Sequence, residues 1–139
     1  MLNRAEIEAR VPHAGAMCLL DAVQRWDAMS IDCQAAAPGP EHPLARGNDV
    51  PAVAAVEYAA QAAAVHGALL DDAGAPQAGL LVKLADVELP VVTLAEAGGA
   101  LSVHAELVSR GASACMYRFE VRGPAACVAR GRLMIAFAS

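Results

Sequence analysis

Residues 51–70, "PAVAAVEYAAQAAAVHGALL", constrain the fold more than any other stretch of the chain. Wound at 3.6 residues per turn, the run puts Ala, Val or Leu on nearly every side, and Glu57, Gln61 and His66 interrupt it. A helix apolar all round has to be surrounded. Lipid is one possible surrounding, since about 20 residues cross a bilayer. An acid near the centre, however, costs about 3 kcal/mol on insertion, and alanine gains little from lipid. The run therefore predicts a core helix of about five turns and no membrane association. Pro51 suits its first turn, where the missing N–H costs nothing.

The flanking sequence supplies the surroundings. Asn3 with Glu6 forms a capping pattern ahead of "RAEIEAR", a short helix that Pro12 ends. "AMCLLDAVQRWDA" and "SIDCQAAA" read as two strands joined by a tight turn near Met29. Residues 38–51 hold Pro38, Pro40, Pro43 and Pro51 with Gly39 and Gly47, which marks a long loop of the kind that tends to be functional. "DDAGAPQAG" closes the apolar helix, and four more strands follow: "GLLVKLADVELPV", "ALSVHAELVSR", "SACMYRFEVRG" and "ACVARGRLMIAFA". Cys115, Tyr117, Phe119 and Val121 alternate with Met116, Arg118, Glu120 and Arg122, the period of a half-buried strand. In the last strand Leu133, Ile135 and Phe137 face in, and Arg130 and Arg132 face out. Two strands, one very apolar helix and four strands fit an α+β hotdog architecture, an antiparallel sheet wrapped around one long central helix. It is expected as a single domain over 1–139.

Composition narrows the class. Aromatic residues are only 4% of the chain, so Ala, Val and Leu must build the core. Charged residues are 18%, against about 25% in average soluble domains, which predicts extra surface buried in an oligomer. Cys18, Cys33, Cys115 and Cys127 form no Cys-x-x-Cys pair and have no neighbouring His. Neither a metal site nor a disulfide framework is expected, and packing in a reducing cytoplasm is. "MLNRAEIEAR" has no apolar stretch of the kind a secretion signal needs. A net charge of −5 disfavours nucleic acid. Yet residues 110–139 carry Arg110, Arg118, Arg122, Arg130 and Arg132 against Glu120 alone, a local excess that an acidic partner would meet.

Glu57 is the residue the apolar helix does not need. Acids are seldom buried unless paired or employed, and a carboxyl taken out of water resists ionisation. Held as an acid in an apolar slot, it can donate a proton to a leaving oxygen. The bland alternative puts it at the helix edge, salt-bridged to an Arg or open to solvent. Gln61 lies one turn on and could orient the carboxyl. His66, nine residues on, points the opposite way and is expected to be structural, as is His104 on its strand.

"VPHAGAMCLLDAV" and "VEYAAQA" resemble the Pro-His segment and the Glu-x-x-x-Gln helix of the β-hydroxyacyl-acyl carrier protein dehydratases. "PHAGAMCLLD" with "EYAAQAAAVHGALL" is more closely similar to a dehydratase-like branch associated with aryl-polyene biosynthesis. The resemblance implies a hotdog dimer with sites at the subunit interface. It implies no metal, and no cofactor beyond the phosphopantetheine arm of acyl carrier protein. Dehydration in that family uses a His base at the α-carbon, the helix acid to release the β-hydroxyl, and backbone N–H groups at the helix start to hold the thioester oxygen. That assigns Glu57 as acid and the amide of Ala52 as a substrate contact, with Gln61 beside them.

The family's Gly-His-Phe-Pro-Gly-x-Pro loop is not present. Setting Gly47 on its glycine puts Asn48, a hydrogen-bonding amide and no base, where the His would stand. His13 and His42 are the alternative bases. Arg118, Arg122, Arg130 and Arg132 are candidates for docking the acidic carrier protein. The resulting expectation is 3-hydroxyacyl-[acyl carrier protein] dehydration. A non-catalytic hotdog subunit partnering an active dehydratase and an acyl thioesterase stand as alternatives.

Overall fold

Asn3 opens the first helix by a reciprocal cap: its side chain accepts the Glu6 N–H at 2.9 Å, and Glu6 Oε1 accepts the Asn3 N–H at 3.1 Å. The structure, a computed structural model, describes residues 1–10, 18–71 and 79–137. Among these, a short strand β1 (Leu2–Asn3) and helix α1 (Arg4–Glu8) precede β2 (Ala22–Trp26) and β3 (Ser30–Ala35). Asp27 makes the β2–β3 turn by accepting the N–H groups of Met29 and Ser30. A 3-10 turn, Ala52–Ala54, leads into α2 (Ala55–Asp71), followed by β4 (Gly79–Glu88), β5 (Leu101–Arg110), β6 (Ala114–Arg122) and β7 (Cys127–Phe137).

All seven strands form one antiparallel sheet in the order β1-β2-β3-β5-β6-β7-β4, with β1 and β4 at its edges. The sheet packs α2 against β3, β5, β6 and β7. With one long helix across this sheet, the fold is a hotdog. Every residue of α2 from Ala55 to Ala68 is buried except Glu57. Because so many of these are Ala, the sheet comes close, and bulk comes from its inner face: Ile31, Val103, Tyr117, Phe119, Leu133 and Ile135. Each such side chain contributes about 1.5–3 kcal/mol on burial. By length and composition the helix Ala52–Asp71 would pass for a membrane span, but 78% of its most apolar window is buried within the fold.

Both ends of α2 are tied. Pro51 bridges Thr93, and the Ala52 N–H donates to the Val92 carbonyl at 3.0 Å. Pro51 thus caps the 3-10 turn from an extended conformation, one position ahead of the helical turn the sequence assigns to it. At the other end Asp71 pairs with Arg110 of β5. Midway, His66 donates from Nε2 to the Asp27 carbonyl (2.8 Å) and accepts the Tyr117 hydroxyl at Nδ1 (2.7 Å). Burial lowers its pKa, so the ring is neutral and bridges the β2–β3 turn to β6. His104 lies on the outer face of β5, bonded through Nδ1 to Asp32 at 2.7 Å.

Candidate active site

Glu57 stands on the first turn of α2. It is half-buried, not sealed in the core, and lies on the wall of a cavity of about 270 Å³. Its other walls are Leu44 and Arg46 from the long loop, and Pro51, Val53, Ala54 and Val56 from the helix start. One carboxyl therefore faces a space that is otherwise mostly apolar, with a single guanidinium on its rim. Such a space suits an acyl chain whose polar end is read by few groups.

Several sequence assignments change at this point. Ala52 is buried, and its N–H is committed to the Val92 carbonyl, so it is not a free donor for a substrate oxygen. The next amide belongs to Val53, which lines the cavity and has no acceptor among the described residues. Asn48 sits at the tip of a tight turn closed by Arg46 N–H to Asp49 O (2.6 Å), where Gly47 takes a φ of +65°. It is exposed there and is not part of the cavity wall. Glycine at that position relieves the steric cost of a positive φ. Gln61 is 1% exposed, and its Oε1 accepts the Leu19 N–H at 2.9 Å, anchoring the lead into β2 to the helix.

His42 is turned away from Glu57. Its Nδ1 accepts the Leu44 N–H at 3.0 Å, and its Nε2 lies 2.8 Å from the Tyr58 hydroxyl. Tyr58 follows Glu57 by one residue, about 100° around the helix. Both nitrogens of His42 have protein partners, and burial lowers its pKa, so it is a poor base for chemistry at Glu57. His13 lies outside the described residues. Among the described residues, no group of three or more His, Cys, Asp and Glu is placed to hold a metal ion.

Each of the four arginines assigned to carrier docking has an acidic neighbour. Arg118 pairs with Glu106, Arg122 with Glu120, Arg130 with Glu88 and Arg132 with Asp86. The local excess of Arg in the last 30 residues is cancelled across the sheet by acids from β4, β5 and β6. Strand pairing places Asp32, His104, Glu120, Arg130 and Glu88 in one cross-strand row. This outer face carries both signs of charge in alternation.

Sequence reading missed Tyr58, the Val53 amide and Arg46. For Tyr58 a signal existed: it is the one aromatic residue in the apolar run and the neighbour of its one acid.

Comparison with known proteins gives one family match. The family model described as ApeP-like, ApeP dehydratase, matches residues 5–138. No curated protein matches the chain by sequence. Among solved structures, the dehydratase heterocomplex ApeI:P from Xenorhabdus doucetiae aligns with a TM-score of 0.84 at 20% identity, covering 96% of this chain and 91% of that one. A mutant thioesterase from Staphylococcus aureus aligns at 0.64 and 11% identity, covering 85% and 93%. A hypothetical thioesterase with coenzyme A from Streptococcus pneumoniae aligns at 0.61 and 9%, covering 85% of each chain. Identities this low report the shared fold.

Proposed function

The chain belongs to the ApeP-like dehydratase family, and we propose that it acts on 3-hydroxyacyl thioesters presented by acyl carrier protein, releasing water and the trans-2-enoyl thioester. The observation that carries this reading is Glu57, a carboxyl on the wall of a mostly apolar cavity at the start of the core helix.

In this scheme a base removes the α-proton and the C–H electron pair becomes the new C=C bond. The C–O bond to the β-hydroxyl breaks, and Glu57, in its acid form, gives its proton to the departing oxygen, which leaves as water. The Val53 N–H receives the charge that gathers on the thioester oxygen, a role suited to a fixed backbone donor in a partly dry site. His13, or a side chain from a second subunit, supplies the base. The phosphopantetheine arm of the carrier is the only accessory group required.

The second subunit is part of the proposal. Edge strand β4 and the turn after it expose Val82 (50%), Leu84, Leu89 and Val92, and Val53 lies exposed on the cavity wall. The Ala52–Val92 hydrogen bond brings these two exposed regions together. An unpaired, apolar edge strand is a template for another strand. A homodimer or a heterodimer with another hotdog subunit would complete the cavity from outside, and the solved ApeI:P structure is itself a heterocomplex.

One observation favours a second reading, in which the chain is a non-catalytic subunit of an active dehydratase. The loop ahead of the core helix carries Asn48, exposed at a turn tip, where the His of the resembled dehydratases would stand. A single experiment separates the readings. The purified chain is incubated with a carrier-bound 3-hydroxyacyl thioester, alone and with a candidate hotdog partner, while enoyl absorbance and free thiol are followed. Enoyl product that disappears in Glu57→Gln supports the dehydratase. Enoyl product only with the partner, unchanged by Glu57→Gln, supports the subunit reading, and thiol release points to a thioesterase.

A further inference from the structure

The long loop walls two pockets. Leu44 and Arg46 face the Glu57 cavity, whereas His42 and Pro43 line a separate pocket of about 230 Å³ together with Tyr58. The dehydration does not use this second space.

Its hydrogen bonding can be read proton by proton. The Leu44 N–H points at His42 Nδ1, so that nitrogen carries the lone pair. Burial keeps the imidazole neutral by lowering its pKa, which leaves its one proton on Nε2. That proton is donated to the Tyr58 oxygen at 2.8 Å. Tyr58 accepts there, and among the described residues its own O–H has no acceptor. The side chain is 2% exposed, and burial pushes its phenol pKa up to about 12, so the proton stays in place. A buried donor in this state is costly to leave unmatched.

The charges at the rim are already spent. Arg4 and Asp21 pair at 3.0 Å, Arg4 also donates to the Cys18 carbonyl at 2.6 Å, and Asp21 accepts the Ala36 N–H at 2.6 Å. Leu19, Pro38 and Pro43 give the remaining wall an apolar character. Among the described residues the pocket thus offers one neutral donor and no unpaired charge.

We infer that this pocket is a second ligand site, in which the Tyr58 hydroxyl, oriented by His42, donates to an uncharged carbonyl, thioester or amide, of a small acyl group. Its volume suits a fragment smaller than a drug-sized ligand. The inference stands apart from the dehydration, because it concerns binding and needs no turnover.

The chain has two tyrosines, which makes the test direct. In the full chain labelled with ¹³C-tyrosine, Tyr58→Phe assigns the two ring signals. Tyr117, held by His66, serves as the internal control and reports the native fold. The probes are butyryl-N-acetylcysteamine thioester, N-acetylcysteamine and butyrate. A saturable shift of Tyr58 by the thioester, with Tyr117 unmoved and butyrate silent, is expected. A shift by N-acetylcysteamine as well identifies the amide as the group read, and silence from it identifies the thioester. His42→Ala, which keeps the reporter, is expected to weaken binding about fivefold, the worth of one oriented hydrogen bond. A Tyr58 signal fixed at saturating thioester overturns the inference. So do both tyrosines moving together, butyrate acting as strongly as the thioester, or undiminished binding in a folded His42→Ala chain. An inactive dehydratase assay leaves it untouched.

Discussion

Replacing Tyr117 by Phe removes a single oxygen from the centre of the molecule, and its cost can be worked from the contacts. Tyr117 and His66 are both fully buried, their rings meet edge to face at 5.5 Å, and the hydroxyl donates to Nδ1 at 2.7 Å. The phenylalanine ring keeps the packing, so no large cavity opens. What is lost is, among the described residues, the one donor to Nδ1, since Nε2 remains engaged with the Asp27 carbonyl. Leaving that acceptor buried and unmatched costs about 1–3 kcal/mol. For a chain of this size that corresponds to a fall in melting temperature of about 3–10 °C. Urea denaturation followed by far-UV circular dichroism, at pH 8 and fixed protein concentration, measures it. The slope against urea should not change, because the surface exposed on unfolding is the same. The variant Tyr117→Phe/His66→Leu should be less destabilised than the sum of the single changes, by about 1 kcal/mol, because the two residues act as one unit. A loss below about 0.5 kcal/mol for Tyr117→Phe, the bottom of the range for a hydrogen bond, or strict additivity in the pair, would refute the buried bridge.

Three further outcomes are expected. His66 is held neutral by burial below its ordinary value of 6.5, so the unfolded chain takes up a proton that the fold refuses. Stability is therefore full above pH 6.5 and falls as pH drops below it, by at most ~1.4 kcal/mol per pH unit from this residue. A folded His66→Gln chain should show a shallower fall in denaturation midpoint between pH 6.5 and 5, and an identical slope would remove His66 as the cause. At Gly131 in β7 an added methyl would stand 2.9 Å from the Val87 Cα, at the bulge where β4 crosses over. Gly131→Ala should cost about 1–3 kcal/mol by overpacking, and a neutral result in the same denaturation assay would mean β4 is not seated there. Leu84→Lys places a charge on the exposed apolar edge of β4. Sedimentation should show the proposed dimer shifted to monomer, whereas an unchanged assembly would put the interface on another face.

Much of the architecture was legible because it follows from local periodicity. The capping pair Asn3 and Glu6, the turn near Met29 and the alternation of Cys115, Tyr117, Phe119 and Val121 all appear where the pattern puts them. The all-round apolar run became a helix surrounded by sheet. The two-residue strand β1 and the 3-10 turn Leu94–Ala97 were not foreseen, since segments that short carry no period to read. The candidate site was only half legible. Glu57 could be picked out as the acid in an apolar helix, but the directions of His42, Asn48 and the Ala52 amide depend on a loop path with no periodicity. His42 folds back onto Tyr58, Asn48 ends at a turn tip, and Ala52 is held by Val92.

The division has one physical origin. Hydrophobic patterning acts through neighbours three or four residues apart along a helix, or two apart along a strand. The sequence alone therefore determined a sheet-wrapped helix with one acid near its start. Charge pairing and hydrogen bonding act on whatever groups the fold brings within about 3 Å, from any distance along the chain. Only the tertiary structure could pair Arg130 with Glu88 and so neutralise a face that reads as basic in one dimension. Only it could aim His42 at Tyr58 and leave Glu57 on the wall of its own cavity.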